Sequence, residues 1–296
     1  MPYAAFLVTY NRPQVLLETI NVLLRQTSSP SRILILDNGN LSGDFLEINF
    51  PGDERFIYHK VGFNAGPAGA AEIGLRLLAS EGFEWIFWGD DNDPPPFPDT
   101  IERLFVSYSG TQFSGIGMLG IVGHRFNSYS GLLVRSSDDN IQGNGILEVD
   151  SIAGNQSMLV HSSVVESGIL PDASLFFGFE ELDFCLSVKA GGFRIGVDKE
   201  LFRKCREHFS RTGFKNTGPY RYAESSLWRQ YYSTRNLFLI YRKHGLRSAW
   251  LIHLVRSLVK LIYNFRHGWS YGKKSWRMIS AGLFDGLLGR SGCRQW

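Results

Sequence analysis

The sequence predicts an α/β protein: a mostly parallel central sheet with helices on both faces, followed by helices at the C-terminal end. Two observations carry this. Short apolar runs, "AAFLVTY" (4–10), "RILILD" (32–37), "RFIYH" (55–59) and "WIFW" (85–88), alternate with segments of helical period in the first ninety residues. The runs are apolar at consecutive positions rather than every second one, as expected of strands buried on both faces.

Taken in order, the first run is followed by Asn11 and Pro13, both suited to a helix start, and by "QVLLETINVLLRQ" with apolar residues at helical spacing. The second run stops at "NGN". After the third, a Gly/Pro-rich turn feeds "AGAAEIGLRLLASEG" (68–82), with Leu75 and Leu78 on its apolar face. "GMLGIV" (117–122) reads as a strand and "SSDDNIQGNG" (136–145) as a turn or loop. Residues 146–168 give two strand-like pieces around "AGN" and then a short helix. "LFFGFEELDFCLSVKAGGFRIGV" (175–197) gives an aromatic strand or loop, a helix, a double-Gly stop and another strand. "AESSLWRQYYSTRNLFLIYRKHG" (223–245) is helical and ends sensibly at Lys243, His244 and Gly245.

The next helix, in 246–268, places Leu251, Leu254, Val255, Leu258, Val259 and Ile262 on one broad face. Arg256 and Lys260 interrupt it well short of the roughly twenty apolar residues that a membrane span needs. Lying on a membrane surface fits this pattern; packing back onto the body is the competing explanation.

Composition agrees with a globular protein, with 44% hydrophobic and 20% charged residues. The three cysteines, an odd number without metal-like spacing, point to a reducing compartment. The opening "MPYAAFLVTYNRP" lacks a basic leader and reads as a strand, not a signal peptide. A net charge of +3 hides a division. From Arg235 onward there are twelve Lys/Arg and one acid, Asp285, about +11; subtraction from totals of 31 and 28 leaves 19 basic and 27 acidic residues before it, −8. That asymmetry suggests an anionic partner surface for the C-terminal part. Nucleic acid is disfavoured, because the basic residues sit on an apolar-striped segment and the body is acidic.

Ligands of such sheets collect beyond the carboxyl ends of the strands. Asn11, Asp37, Asn64 and Asp90 to Asp93 all fall there. "GFNAGPAGA" (62–70) matches neither a phosphate-binding loop nor a dinucleotide fingerprint; it is either a flexible turn or a place where backbone approaches a nucleotide. In "EWIFWGDDNDPPPFP" (84–98), three carboxylates follow a buried strand. They either cap a Pro-rich turn or make a hard-cation site for Mn²⁺ or Mg²⁺ that clamps a diphosphate. Glu180, Glu181 and Asp183 form a second acidic group after the apolar "LFFGF". On a helix Glu180 neighbours Asp183, whereas Glu181 points roughly 100° away. Exclusion of water raises a carboxylate's proton affinity, as a base for a sugar hydroxyl requires; helix capping is the alternative. His208, in a polar loop among Arg203, Lys204, Arg206 and Arg211, is a candidate for metal or phosphate.

Seven stretches occur in an order that resembles family 2 glycosyltransferases of the GT-A fold, in the bacterial rhamnosyltransferase and galactofuranosyltransferase-like part of that family. They are "VTYNRP…LLRQT", "RILILDNGN", "GFNAGPAGA", "WIFWGDDNDPPP", "FFGFEELDFCLSVKAGG", "HFSRTG" and "YYSTRNLFLIYRKHG", and they cover residues 4 to about 243. The resemblance implies a metal-dependent enzyme that moves a sugar, with inversion, from a UDP- or dTDP-sugar to a hydroxyl of a cell-envelope polysaccharide or lipid-linked glycan. It implies nucleotide contacts at Thr9, Asn11 and Asp37, with Asn64 near the ribose or diphosphate. The metal motif reads either as Asp90-x-Asn92 or as Asp91-x-Asp93. The latter frame leaves Asp90 to the donor and joins His208 to the cation. Glu181 is implied as general base, with Asp183 in reserve.

The expected organisation is a catalytic domain, 1–234, with a nucleotide-sugar and metal half (1–125) and an acceptor half (126–234). A basic helical region, 235–296, is expected to hold the protein, cytoplasmic, on the inner face of the membrane. Two other classes fit less of the chain. A sugar-phosphate nucleotidyltransferase needs a Gly-rich basic loop where "TYNRP" stands. An inactive carbohydrate-binding protein would use Tyr129, Phe176, Phe177, Phe179, Tyr220 and Tyr222, and leaves two acidic clusters without purpose.

Overall fold

A computed structural model of the chain describes residues 1–111, 113–152, 157–212 and 221–294. The "AGN" turn, Gly213 and Tyr220 lie outside the described residues.

Strands β1 (Tyr3–Thr9), β2 (Arg32–Asp37), β3 (Phe56–Lys60) and β4 (Trp85–Asp90) are parallel, in the spatial order β3-β2-β1-β4. Helices α1 (Pro13–Leu24), α2 (Phe45–Asn49) and α3 (Gly66–Ser80) connect them. β1 shows why both faces must be apolar. Ala4, Phe6 and Val8 pack with Ala70, Ala71, Leu75 and Leu78 of α3. Tyr3, Ala5 and Leu7 pack on the other face with Leu16, Ile20 and Leu23 of α1. The "WIFW" strand runs two residues past its apolar part, so Asp90 is its last residue.

The chain continues through α4 (Thr100–Ser109), β5 (Ile116–Gly120), β6 (Gly123–Asn127), β7 (Leu132–Arg135), β8 (Ile146–Val149), β9 (Ser151–Ile152) and β10 (Met158–His161). It then forms α5 (Ser162–Glu166), α6 (Glu180–Ala190), β11 (Arg194–Asp198) and α7 (Lys199–His208). The large sheet has the order β3-β2-β1-β4-β10-β5-β11-β8. β10 is antiparallel to both its neighbours, and β11 is parallel to β5 but antiparallel to β8. A small sheet, β7-β6-β9, stands beside it. The α/β expectation therefore holds, with helices α1, α4 and α7 on one face and α3, α5 and α6 on the other.

The sequence reading passed over α4, the β6–β7 hairpin and α7. The last is a correction for His208, which is the final residue of a helix and not part of a polar loop. Arg203, Lys204 and Arg206 masked the apolar side of that helix, where Leu201, Phe202 and Cys205 are buried.

Three longer helices close the chain: α8 (Trp228–Lys243), α9 (Arg247–Tyr263) and α10 (Trp269–Leu288). α8 lies between body and end. Its Ile240 and Tyr241 pack with Ala68 and Leu175, while Phe238 packs with Ile279 and Leu283 of α10. Cys185 and Cys205 are buried and Cys293 is exposed.

The seam between α3 and β1 has no slack at Gly74, where an added Cβ would lie 2.6 Å from the Phe6 ring. Alanine would gain about 1 kcal/mol of helix propensity, but overpacking a filled core costs roughly 1–3 kcal/mol. Gly74→Ala should therefore lower the urea midpoint of unfolding despite improving the helix, without changing the denaturant slope.

Candidate active site

The parallel strands deliver polar residues to one rim. At the end of β1, Thr9 donates to Asp91 (2.9 Å), and Asn11 turns left-handed, with φ 57°, so that its side-chain oxygen accepts from the Asn40 amide (2.8 Å). At the end of β2, Asp37 is fully buried. Its carboxylate accepts from the amides of Gly39 and Leu41 (2.9 Å each) and from the Tyr58 hydroxyl (2.8 Å). Burial, helped by Asp37, pushes the Tyr58 hydroxyl up to about 12. Beyond β3, Asn64 accepts from the Asn38 side chain (3.3 Å) and the Gly66 amide (3.0 Å), and the Ala65 amide donates to Asn38 (2.8 Å). The two loops are thus joined by reciprocal amide bonds.

Gly66 is a position only glycine fills. Its φ is +70°, and an added Cβ would fall onto the Phe176 carbonyl oxygen, so residues 62–66 cross the 175–179 loop at backbone distance. The Ala68 amide donates to the same carbonyl (3.4 Å).

At the end of β4 the acids divide. Asp91 faces inward: it is fully buried, accepts from Thr9 and is paired with Arg12. Burial raises its proton affinity, and Thr9 and Arg12 oppose that. Asp90 and Asp93 face the other way, toward Glu181. Burial, then Glu181 and the neighbouring aspartates, push Asp90 up to about 7. Burial and Glu181 push Asp93 up to about 7 as well. Glu180 and Glu181, at the start of α6, are both raised, chiefly by burial, and one oxygen of Glu180 has no hydrogen-bond partner.

A rigid loop holds Glu180 and Glu181 there. Phe176 (φ 62°) and Phe179 (φ 67°) are left-handed, a conformation that needs support from surrounding structure. The support comes from α8. The Asn236 amide donates to the carbonyls of Leu175 (3.0 Å), Phe177 (2.9 Å) and Gly178 (2.8 Å), and Arg235 also donates to Leu175 (2.8 Å). Phe177 packs against Trp228 (4.7 Å) and Phe176 against Tyr232 (5.4 Å) with tilted rings, so these two aromatics are engaged with α8.

The structure therefore brings Asp90, Asp93 and Glu181 together and places Thr9, Asn11, Asp37 and Asn64 along the adjoining rim. It sets two residues apart. Asp183 is fully buried on another side of α6, held by Lys243 (2.6 Å) and His244 (3.0 Å). His208 packs edge-on against Phe97 (5.7 Å), beyond the Pro-rich turn that follows Asp93. Sequence reasoning missed Arg12, Asn38, Arg235 and Asn236. The last two are buried in α8 between Tyr232 and Phe238, on a side that also buries Gln230 and Thr234.

Among the described residues no three His, Cys, Asp or Glu side chains are gathered as a metal-holding group. The chemistry of the Asp90–Asp93 pair nonetheless fits a hard cation. Mg²⁺-type ions take only one or two protein carboxylates and complete their shell with substrate oxygens and water. A site whose acids raise one another's proton affinity lacks the positive charge such an ion supplies.

Residues 5–116 match the model of the family described as glycosyl transferase family 2. A stretch of 97 residues, 30% of this chain, is 26% identical to galactofuranosyltransferase GlfT1 of Mycobacterium tuberculosis, and covers 29% of that protein. Among solved structures, the chain is similar to mannosyltransferase PcManGT from Pyrobaculum calidifontis, determined in complex with GDP-Man and Mn²⁺. The TM-score is 0.54 at 11% identity, over 97% of this chain and 87% of that one. It is also similar to TarS of S. aureus, with TM-score 0.53 at 12% identity, over 96% of this chain and 55% of that one. The chain has the GT-A fold, with its central sheet, flanking helices and C-terminal helical region.

The raised carboxyls fix the sign of a pH effect. An unfolded Asp titrates near 3.8 and the folded Asp90 near 7, so between those values the folded state binds more protons. Asp90's contribution to stability therefore falls as pH rises through that window and levels off above it. Asp90→Asn removes one such group. Thermal unfolding should show the variant more stable than the wild type above pH 7 in the presence of a chelator, with the difference vanishing below about pH 4.

Proposed function

We propose that the chain is an inverting, metal-dependent glycosyltransferase that moves a sugar from a nucleotide-diphosphate donor, with UDP or dTDP as carrier, to a hydroxyl of a growing envelope polysaccharide or lipid-linked glycan. The observation that carries this reading is the convergence of Asp90, Asp93 and Glu181 beside the rim formed by Thr9, Asn11, Asn38 and Asn64. The family match over residues 5–116 supports it independently. We assign 1–234 to catalysis and 235–296 to a basic helical region at the inner face of the membrane.

In this reading Asn11 and Asn64 face the nucleotide and ribose, and Asp37 shapes their loop from beneath. Asp93 and Asp90 hold the cation, because Asp91 is committed to Thr9 and Arg12. When bound, Mn²⁺ or Mg²⁺ neutralises charge on the departing diphosphate. His208 stays on the diphosphate side, at the edge of the site. Glu181, half-buried and raised by burial, takes the proton of the acceptor hydroxyl. The hydroxyl oxygen attacks the anomeric carbon from the face opposite the diphosphate, and the bond to the diphosphate oxygen breaks with its electron pair leaving on the nucleotide. Asp183 stays in reserve as the base, disfavoured because Lys243 and His244 already satisfy it.

A panel of UDP- and dTDP-sugars, incubated with the full chain and Mn²⁺ or Mg²⁺, should include one that is consumed, and chelation should stop its consumption. Glu181→Gln should lower transfer by about a hundredfold or more while leaving donor affinity in calorimetry near normal. Asp93→Asn should weaken the dependence of donor binding on Mn²⁺; Asp91→Asn should instead lower thermal stability. Full transfer by Glu181→Gln alongside an inactive Asp183→Asn would move the base to Asp183.

A further inference from the structure

Helix α9 is built inside out. A helix resting on a globular protein turns its apolar stripe inward and its polar residues to water. Here the residues buried against the protein are Ala249, His253 and Ser257, and the His253 ring reaches the Thr234 carbonyl of α8 (2.9 Å). Apart from Arg247, Lys260 and Tyr263, the outward residues are aliphatic. Leu251, Val255, Leu258, Val259 and Ile262 are 57%, 60%, 49%, 58% and 79% exposed, at spacings of four, three, one and three that keep them on one stripe. Ala249 packs with Ile240 and Tyr241 of α8, and the flanks of α9, through Trp250, Leu254 and Leu261, share in the apolar packing with α8 and α10.

The stripe continues past the end of the helix. At the corner between α9 and α10, Tyr263 and Trp269 are exposed, the Arg266 guanidinium lies over Tyr263 (4.4 Å) and the Lys273 amine over Trp269 (5.7 Å). Arg247 and Arg277 add exposed positive charge, and the one acid from residue 247 onward, Asp285, is buried. At the other flank Arg256 ties α9 to the β6–β7 turn through the Ser130 carbonyl (2.9 Å), bringing the 70%-exposed Tyr129 beside the stripe. No helix among the described residues is long and apolar enough to cross a membrane.

We propose that this face is a monotopic docking surface for an anionic phospholipid bilayer. The aliphatic stripe of α9 enters the headgroup–acyl boundary, and the Tyr263–Trp269 corner sits at the level of the headgroups with Arg266 and Lys273 on lipid phosphate. Three features select this occupant. The face is aliphatic at its centre, amphipathic aromatic at its edge and cationic around it, with the exposed Glu224 engaged by Lys274 (2.8 Å); those are the layers of an anionic membrane surface in order. The proposal rests on the peripheral placement given above but on no step of the transfer chemistry.

The test is co-sedimentation of the full chain with vesicles of phosphatidylcholine alone and of phosphatidylcholine with phosphatidylglycerol, beside donor hydrolysis by the same samples. The wild type should pellet with the anionic vesicles and be released by raised salt. Val255→Glu combined with Ile262→Glu changes two outward side chains, so folding and donor hydrolysis should persist while partitioning falls on the order of a hundredfold. Arg266→Gln with Lys273→Gln should cut the preference for anionic over neutral vesicles about tenfold. A wild type that stays in the supernatant with both vesicles overturns the proposal. So does a self-associating chain that the two glutamates render monomeric while vesicles are ignored, which would give the face to a second copy. Vesicle binding without donor hydrolysis would leave the surface standing and remove the enzymatic reading alone.

Discussion

Like charge confined in a poorly hydrated space is the condition around which the site is arranged. Asp90 and Asp93, at the sheet's carboxyl edge, both feel the charge of Glu181 at the start of α6, and they, Glu180 and Glu181 each carry a proton affinity raised first by burial. Arg12, the cation that lowers the proton affinity of Asp90, is already paired with Asp91. A core that surrounded these acids with salt bridges would be more stable and less useful. Their crowding leaves attraction for a cation and appetite for a proton.

Holding repelling groups together demands rigidity, and α8 supplies it. Its Asn236 and Arg235 satisfy four backbone acceptor bonds in the loop ahead of Glu180, and Lys243 and His244 fasten α6 from the other end through Asp183. Two left-handed phenylalanines are tolerable in that loop because its carbonyls have partners in a single, deeply buried side chain. The third acid of "EELD" is thus a tether for the element that carries the first two.

Much of the frame was legible in the chain because burial on both faces forces uninterrupted apolar runs. β1, β2 and β4 needed no other signal. The rim residues were legible for a related reason, since chain direction in a parallel sheet decides where polar strand ends must go. What stayed hidden depended on three-dimensional facing. Nothing in "GDDNDP" tells that Asp91 turns inward to Thr9 and Arg12 while Asp90 and Asp93 turn outward, because the bend beyond β4 decides it. α7 was lost for the opposite reason: its buried side includes Arg206, so its hydrophobic pattern is broken by a residue the fold conceals. The aliphatic stripe of α9 was visible, yet only its packing shows that the stripe points away from the protein.

The crossing of the chain at Gly66 makes two regions of the protein one mechanical part. The segment after β3 and the segment before α6 are more than a hundred residues apart in sequence, but at this crossing no side chain separates their backbones, and the Ala68 amide is bonded to the Phe176 carbonyl. With no compliant side chain between them, neither can be displaced by more than a few tenths of an ångström without carrying the other along. Whatever orders Asn38 and Asn64 therefore also sets the position of the two glutamates, and freedom of movement is granted or withdrawn on both sides at once.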